Sequence, residues 1–336
     1  MDELRAGIIG LGVGEKHILA FDGHPNCKVA AICDFSEEKL SASAKLCPGA
    51  RCTRNAKEIL DDSTINIVSI ASFDNYHFEQ TSRAIRNRKH VFIEKPLCLY
   101  FKEAAKLRKL LSENPGIHLS SNLNLRTCPR FMWLRRQVQT GKMGQIVYVE
   151  ADYLWGRIQK LTDGWRKNME FYSIIHGAAV HMIDLTMWLT QMKPVEVHCY
   201  GNQIATANSG FKYNDFAVIL MRFENGTIAK VTANGGCVHP HFHKLSVFGT
   251  GKTFVHDDSG ARLFESRDPK AKPAEILDEY PGIKEKGSII TSFVEAIIDL
   301  RKNAIVSCDD TFATMSVCFA AERSVAERKP IPVAYI

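Results

Sequence analysis

The first 120 or so residues alternate between short apolar runs and mixed segments. Ala6–Leu11, Val29–Cys33, Ile67–Ala71 and Val91–Ile93 are continuously apolar, as strands covered on both faces are. Between them lie helix-like segments: Glu15–Phe21, Glu37–Leu46, Ala56–Leu60, Phe78–Arg86 and Lys102–Leu111. Strand and helix alternating at this spacing predicts an α/β fold with a doubly wound parallel sheet.

Beyond Ser120 the pattern changes. A helix over Arg130–Gln139 stops at Gly141, and a long strand, Ile146–Leu154, follows. A helix is expected over His176–Leu189. A run of strands comes next: Val195–Tyr200, Phe216–Phe223, Thr227–Ala233, Leu245–Gly249 and Thr253–His256. Asn225-Gly226 joins two of them, a strong signal for a tight hairpin. Helices over Ser288–Leu300 and Thr311–Ala326 close the chain. The second half therefore predicts an α/β domain with an open, mainly antiparallel sheet and helices on one face. The expected division is 1–121 and 122–336, without internal repeat, low-complexity tract or Ser/Pro linker.

A chain of 336 residues suffices for two such domains, and 45% hydrophobic with 24% charged residues is ordinary soluble composition. The net charge of +6 comes from scattered residues, which argues against a nucleic-acid groove or a membrane patch. No stretch reaches the roughly 18 apolar residues of a membrane span. The start, MDELRAGIIGLG, lacks the basic opening and apolar core of a signal peptide. Ten cysteines form no Cys-x-x-Cys pair, and Cys33, Cys199 and Cys318 sit inside apolar segments. A reducing, cytoplasmic setting is the simpler expectation.

Candidate chemistry begins at GIIGLGVGEKH, Gly7–His17. Gly10, Gly12 and Gly14, with Val13 between the last two, let the backbone turn tightly where free helix N–H groups face an anion. The usual spacing puts the third small residue at position 15, which here is Glu15, so Gly14 takes that role or the site is altered. The second strand ends at Asp34, 24 residues after Gly10. An acid there binds both adenosine ribose hydroxyls and repels a 2′-phosphate, and no arginine follows in FSEEK. Together these predict a Rossmann dinucleotide site for NAD, with NADP as the lesser possibility.

With IASFDNYH (Ile70–His77), VFIEKPLC (Val91–Cys98), GKMGQIVYVEADY and VHMIDL (Val180–Leu185) in order after the glycine turn, the chain resembles the glucose–fructose oxidoreductase/inositol dehydrogenase family, Gfo/Idh/MocA. The resemblance implies a Rossmann domain followed by an α/β domain whose open sheet often forms the oligomer interface, here a homodimer or homotetramer. It implies hydride transfer between a nicotinamide and a hydroxyl or keto carbon of a sugar, nucleotide sugar, inositol or related polyol. By the same resemblance Lys95 is catalytic, stabilising the reacting oxygen, and Glu94 sits by the nicotinamide ribose. Pro96 biases Lys95 toward extended backbone. Ser72, Phe73 and His77 become candidates for the cofactor wall. His181 takes the family's place for the general acid/base, which suits a group titrating near neutrality. Many relatives carry an acid four residues earlier, where this chain has Gly177; His176 could supply a substitute polar group.

Other polar residues point to substrate. Asp184 shares a helix face with His181. Asn122 and Arg126 end an expected strand, and Tyr153, Arg157, Trp165 and Arg166 flank a loop too long to be only a connector. His239, His241 and His243 alternate as strand residues on one face would, yet Pro240 interrupts them. They are expected to line the substrate pocket or a subunit contact, with no metal required. Two other functions stay open: glycoside cleavage through transient oxidation with NAD retained, or a non-catalytic nicotinamide-binding sensor.

Overall fold

The computed structural model describes residues 3–282 and 287–336. The described chain divides into two compact units, 3–124 with 287–312 and 336, and 125–282 with 313–335. This differs from the expected division at 121/122, because the penultimate helix belongs with the first unit.

The first unit holds β1 (Leu4–Ile9), α1 (Glu15–Asp22), β2 (Cys27–Cys33), α2 (Glu37–Ala44), β3 (Arg51–Thr53), α3 (Ala56–Leu60), β4 (Ile67–Ile70), α4 (His77–Arg86), β5 (His90–Ile93), α5 (Phe101–Ser112) and β6 (Leu119–Ser121). Its strands form one parallel sheet in the order β3-β2-β1-β4-β5-β6, the Rossmann arrangement. The four expected strands are present, displaced by at most two residues. β3, Arg51-Cys52-Thr53, gave no apolar signal, whereas β6 lies just before Asn122, where the sequence predicts a strand. Register sets Ile9 beside Ile70 and Ile70 beside Ile93, so Gly10, Ala71 and Glu94 follow at one edge of the sheet. That edge, where strand order reverses between β1 and β4, is where ligands of such sheets bind.

The second unit holds α6 (Pro129–Gln139), β7 (Ile146–Leu154), α7 (Gln159–Thr162), α8 (Val180–Thr190), β8 (Pro194–Asn202), β9 (Phe216–Phe223), β10 (Ile228–Asn234), β11 (Phe242–Gly249), β12 (Thr253–Asp257), β13 (Gly260–Phe264), β14 (Ala274–Glu275) and β15 (Ile331–Pro332). They make a nine-stranded sheet in the order β14-β13-β12-β11-β7-β10-β9-β8-β15. All neighbours are antiparallel except β7 with β10. Asn225-Gly226 makes the expected hairpin between β9 and β10, with Gly226 at φ 88. Ala229, Val231 and Ala233 of β10 and Val149, Ala151 and Tyr153 of β7 are buried, and α8 packs against both strands. The single helix expected over His176–Leu189 is instead a π-helical turn, Ile175–Ala179, running into α8. Such turns commonly occur at functional sites.

The chain returns to the first unit with α9 (Ser288–Ile298), and α10 (Cys308–Glu327) follows. α9 packs on α1, and Phe293 meets Phe92 of β5 at 5.7 Å between ring centres. Phe21 of α1 closes the group at 6.2 Å from Phe92. Each ring withdrawn from water in this way contributes roughly 1.5–3 kcal/mol. Among the described residues no helix is long and apolar enough to cross a membrane.

Candidate active site

The glycine turn separates into two kinds of glycine. A Cβ on Gly10, which has φ +88, would lie 2.3 Å from the carbonyl oxygen of Ala71, and one on Gly14 would lie 2.1 Å from the carbonyl of Gly10. Both are needed by the protein itself, Gly14 for the close packing of α1 on the sheet. A Cβ on Gly12 would meet nothing nearer than Lys39 Nζ at 3.9 Å. The fold has no use for a bare backbone there, but an approaching pyrophosphate does. A cradle that a side chain would fill is what a dinucleotide requires, so these residues fit NAD. Lys39 adds a cation beside the turn that sequence reading passed over.

Asp34 follows β2 and is held by two backbone donors, Leu11 N to Oδ2 at 2.7 Å and Ser36 N to Oδ1 at 2.9 Å. A carboxylate oxygen has room for a second donor, so each can still accept a ribose hydroxyl. Next to it Phe35 is 60% exposed and Tyr76 37%, their rings 6.1 Å apart. With Val13 and Phe73, also well exposed, they leave apolar surface at the ligand edge of the sheet. Phe35 and Tyr76 went unmarked in the sequence because an isolated aromatic has many structural uses.

The turn after β5 is tied down from several sides. The Lys95–Pro96 peptide is cis. His77, expected on the cofactor wall, is fully buried instead. Its Nδ1 lies 2.6 Å from the Pro96 carbonyl and its Nε2 3.2 Å from that of Ser72, so the ring joins the turns after β4 and β5. Ser72 donates its hydroxyl to Gln80 at 2.8 Å. Asn122, expected to meet substrate, donates Nδ2 to Glu94 Oε1 at 2.5 Å, and His17 Nε2 stands 3.2 Å from the same oxygen. Burial pushes the Glu94 carboxyl up, but His17, the Lys95 charge and the Asn122 donor outweigh it and hold it below its ordinary range.

In the second unit, His181 on α8 is 8% exposed, and the Tyr153 ring lies nearly parallel to it, 5.7 Å away at 12°. Tyr153 Oη is 3.0 Å from His241 Nε2. His243 N donates to Tyr280 Oη at 2.9 Å, and its Nδ1 lies 2.7 Å from the same oxygen. His239 turns away, its Nε2 3.2 Å from Asp258. His241 and His243 thus share an aromatic cluster with Tyr153, the ring that stacks on His181, while His239 lies apart from it. No group of three or more His, Cys, Asp or Glu among the described residues is placed to hold a metal.

Three of the expected substrate residues are committed elsewhere. Arg126 lies in a 3₁₀ turn after β6, not on a strand. It forms a bidentate ion pair with Asp184, Nε to Oδ2 at 2.9 Å and Nη2 to Oδ1 at 2.6 Å, both side chains at most 4% exposed. Thr314 donates to Asp184 as well, at 3.2 Å. These two residues therefore anchor α8 rather than face a ligand. Breaking a buried pair leaves an uncompensated charge, so Asp184→Asn is expected to lower stability by about 3–5 kcal/mol while leaving NAD affinity unchanged. A denaturant titration giving the original midpoint would remove the pair from the structural account.

The third is His176. It is 1% exposed, with neither ring nitrogen hydrogen-bonded, and lies edge-on to Phe171 and Phe319 at 6.0 and 5.4 Å. Burial pushes it down to about 3, so it stays neutral and cannot replace a missing acid. Gly177 beside it has no room for a side chain, since a Cβ would lie 2.3 Å from Tyr172 Oη. Arg166 is half-buried, its guanidinium 4.3 Å from the Trp165 ring centre and 5.3 Å from that of Trp155. Arg157 stays exposed, and its charge helps to lower His241. A cavity of about 210 Å³ in this unit is lined by Phe171, Tyr172, Tyr213, Asn214 and Glu322; Tyr153, Arg157, Trp165 and Arg166 are not part of its wall.

The buried histidines have a consequence for pH. Burial holds His176 and His243 down to about 3. In the unfolded chain each takes up a proton below about pH 6.5, which the folded protein refuses until far lower pH. Their contribution is present above that value and is lost as pH falls. Each such histidine should remove about 1.4 kcal/mol of stability per pH unit below about 6. Denaturation midpoints that stay level from neutrality to about pH 5 would contradict this.

The sequence pattern described as "Oxidoreductase family, NAD-binding Rossmann fold" matches residues 4–122, and that of the GFO/IDH/MocA C-terminal domain matches residues 131–255. An uncharacterized oxidoreductase of Bacillus subtilis, YrbE, is 24% identical over 98% of this chain and 97% of its own. A myo-inositol 2-dehydrogenase of Thermotoga maritima is 22% identical over 98% of both chains. Among solved structures, levoglucosan dehydrogenase in complex with NADH superposes with a TM-score of 0.86, covering 100% of both chains at 20% identity.

Proposed function

Because this chain belongs to the GFO/IDH/MocA family and is an NAD-binding oxidoreductase, we propose that its substrate is a cyclic polyol or sugar, oxidised or reduced at a secondary CH–OH carbon. The observation that carries the reading is a juxtaposition on one sheet edge: the open face of Gly12 after β1 and Lys95 after β5, with β4 between. Bound NAD supplies the hydride acceptor. Lys95 stabilises negative charge on the substrate oxygen, and His181 takes the hydroxyl proton. Tyr153 keeps the His181 ring in one plane by stacking on it. The names of relatives, a myo-inositol dehydrogenase and a levoglucosan dehydrogenase, support a ring carrying several hydroxyls.

The test is NADH formation with NAD and a panel of myo-inositol, scyllo-inositol, levoglucosan, glucose and UDP-N-acetylglucosamine. Turnover of at least one is expected. Cleavage of an aryl glycoside without net NADH would move the protein to glycoside chemistry, and tight NAD binding with neither activity would make it a sensor.

Asp34 favours NAD over NADP, because its carboxylate accepts ribose hydroxyls and meets a 2′-phosphate as a like charge. Asp34→Ser should weaken NAD and narrow the gap to NADP. Calorimetric titration that finds NADP the tighter ligand of the unchanged protein would sink this assignment. Copies of the chain pair through the outer face of the nine-stranded sheet. There Leu220 and Ile228 are about half exposed, and Tyr148 stacks on Phe248 at 5.6 Å.

A further inference from the structure

His17 stands in α1, close behind the glycine turn, and is 3% exposed. Its ring is held on three sides. Nδ1 lies 2.9 Å from the hydroxyl of Ser69 on β4, Nε2 lies 3.2 Å from Glu94 Oε1, and the Phe92 ring stands nearly perpendicular to it, 5.4 Å away at 84°. The approach to Glu94 is off the straight hydrogen-bond line, so proximity and charge carry the attraction. Ser69 is wholly buried and Glu94 9% exposed. Serine, histidine and acid in this order are not a nucleophilic triad, because no substrate reaches a serine with no exposed surface. The arrangement points the other way, from β4 through the helix to the turn after β5.

We propose that His17 is a positioning residue: backed by Ser69, it holds the Glu94 carboxylate in one orientation, and with it the backbone from which Lys95 extends. This rests on the role given to Lys95 above. Buried charges keep one geometry only when the groups around them are fixed, and Glu94 has two fixed neighbours, the ring of His17 from α1 and the donor Asn122 after β6. The titratable and charged groups facing Glu94 are His17 and Lys95. Without His17, burial dominates and the carboxyl rises toward protonation.

The experiment compares His17→Leu, which removes the contact, with His17→Gln, whose amide can face both Ser69 and Glu94. His17→Leu is expected to lose about 10- to 100-fold in kcat, the effect of removing a polar neighbour from a buried charged group, with KM nearly unchanged. Its activity should also fall off at higher pH on the acid side, as the raised Glu94 takes up a proton. His17→Gln should recover most of the kcat and the original acid limb. Equal losses in both variants with an unmoved pH profile would mean that His17 only fills space, and overturn the proposal. If His17→Leu does not fold, His17→Met carries the same expectation, its flexible stem filling the gap. A second arm needs no substrate: carboxyl-carbon NMR of Glu94 in the unchanged protein and in His17→Leu. Loss of His17 should raise the Glu94 midpoint, and identical midpoints would overturn the coupling even if no carbohydrate is turned over. Absence of turnover with a raised midpoint would instead count against the substrate reading and leave the coupling intact.

Discussion

Lys95→Met and His181→Ala are each expected to bind NAD almost as the unchanged protein does and to lose most of their turnover. The methionine keeps much of the lysine stem and removes its charge; the alanine removes the proposed proton acceptor. Neither change touches the glycine turn or Asp34, which the cofactor's pyrophosphate and adenosine require. His181→Ala should fall by roughly 10²–10⁴-fold in kcat, the usual contribution of a general acid/base. Under the roles proposed for Lys95 and His181 they serve one oxygen and its proton, so the double variant is expected to be little worse than the poorer single one. Steady-state kinetics with the active carbohydrate decides this. Near-normal turnover in His181→Ala would move proton handling elsewhere. His176, neutral and walled in by Phe171 and Phe319, is not available for it, which leaves Tyr153 as the next group to replace.

Gly12→Val is expected to abolish NAD binding while the protein remains folded. The expectation comes from the space around the three glycines. At Gly10 and Gly14 a side chain would run into backbone at 2.3 and 2.1 Å, so valine there should damage the fold itself. At Gly12 the added carbon points away from all protein atoms but the end of Lys39. Only a ligand lying against the turn would meet it. Thermal melts should therefore separate the variants, Gly12→Val melting near the unchanged protein and Gly10→Val far below it. Isothermal titration should find no NAD affinity in Gly12→Val. Normal binding there would mean that the open face is not the pyrophosphate face, and the cofactor assignment of the whole turn would have to be redrawn.

Features set by local spacing could be read from the chain. The glycine turn, Asp34 and the EKP stretch lie at the ends of β1, β2 and β5, and continuous apolar runs locate such ends. Asn225-Gly226 made its hairpin because φ > 0 at the turn selects those residues. What spacing does not carry is which polar group meets which. His17 and Ser69 are 52 positions apart, and Arg126 and Asp184 are 58. Arg126 and Asp184 looked like ligand contacts because a charged residue near an expected site has two uses, and only packing separates them. His77 misled in the same way, being wholly buried. β3 was invisible since three residues, Arg51-Cys52-Thr53, at a sheet edge have no periodicity to detect.

The return of residues 287–312 to the first unit bears on how the chain is made. β1 to β6 have been synthesised once residue 121 is out, but α9, which covers α1 and places Phe293 against Phe92, comes far later. At about 5–20 residues per second, the ribosome needs roughly 10–40 s more to reach residue 312. During that interval the nascent Rossmann unit shows water a bare apolar face on α1. A fragment ending at residue 124 keeps that face permanently. The glycine turn and Lys95 would both be present in it, yet it would be a client for chaperones rather than a minimal NAD-binding domain.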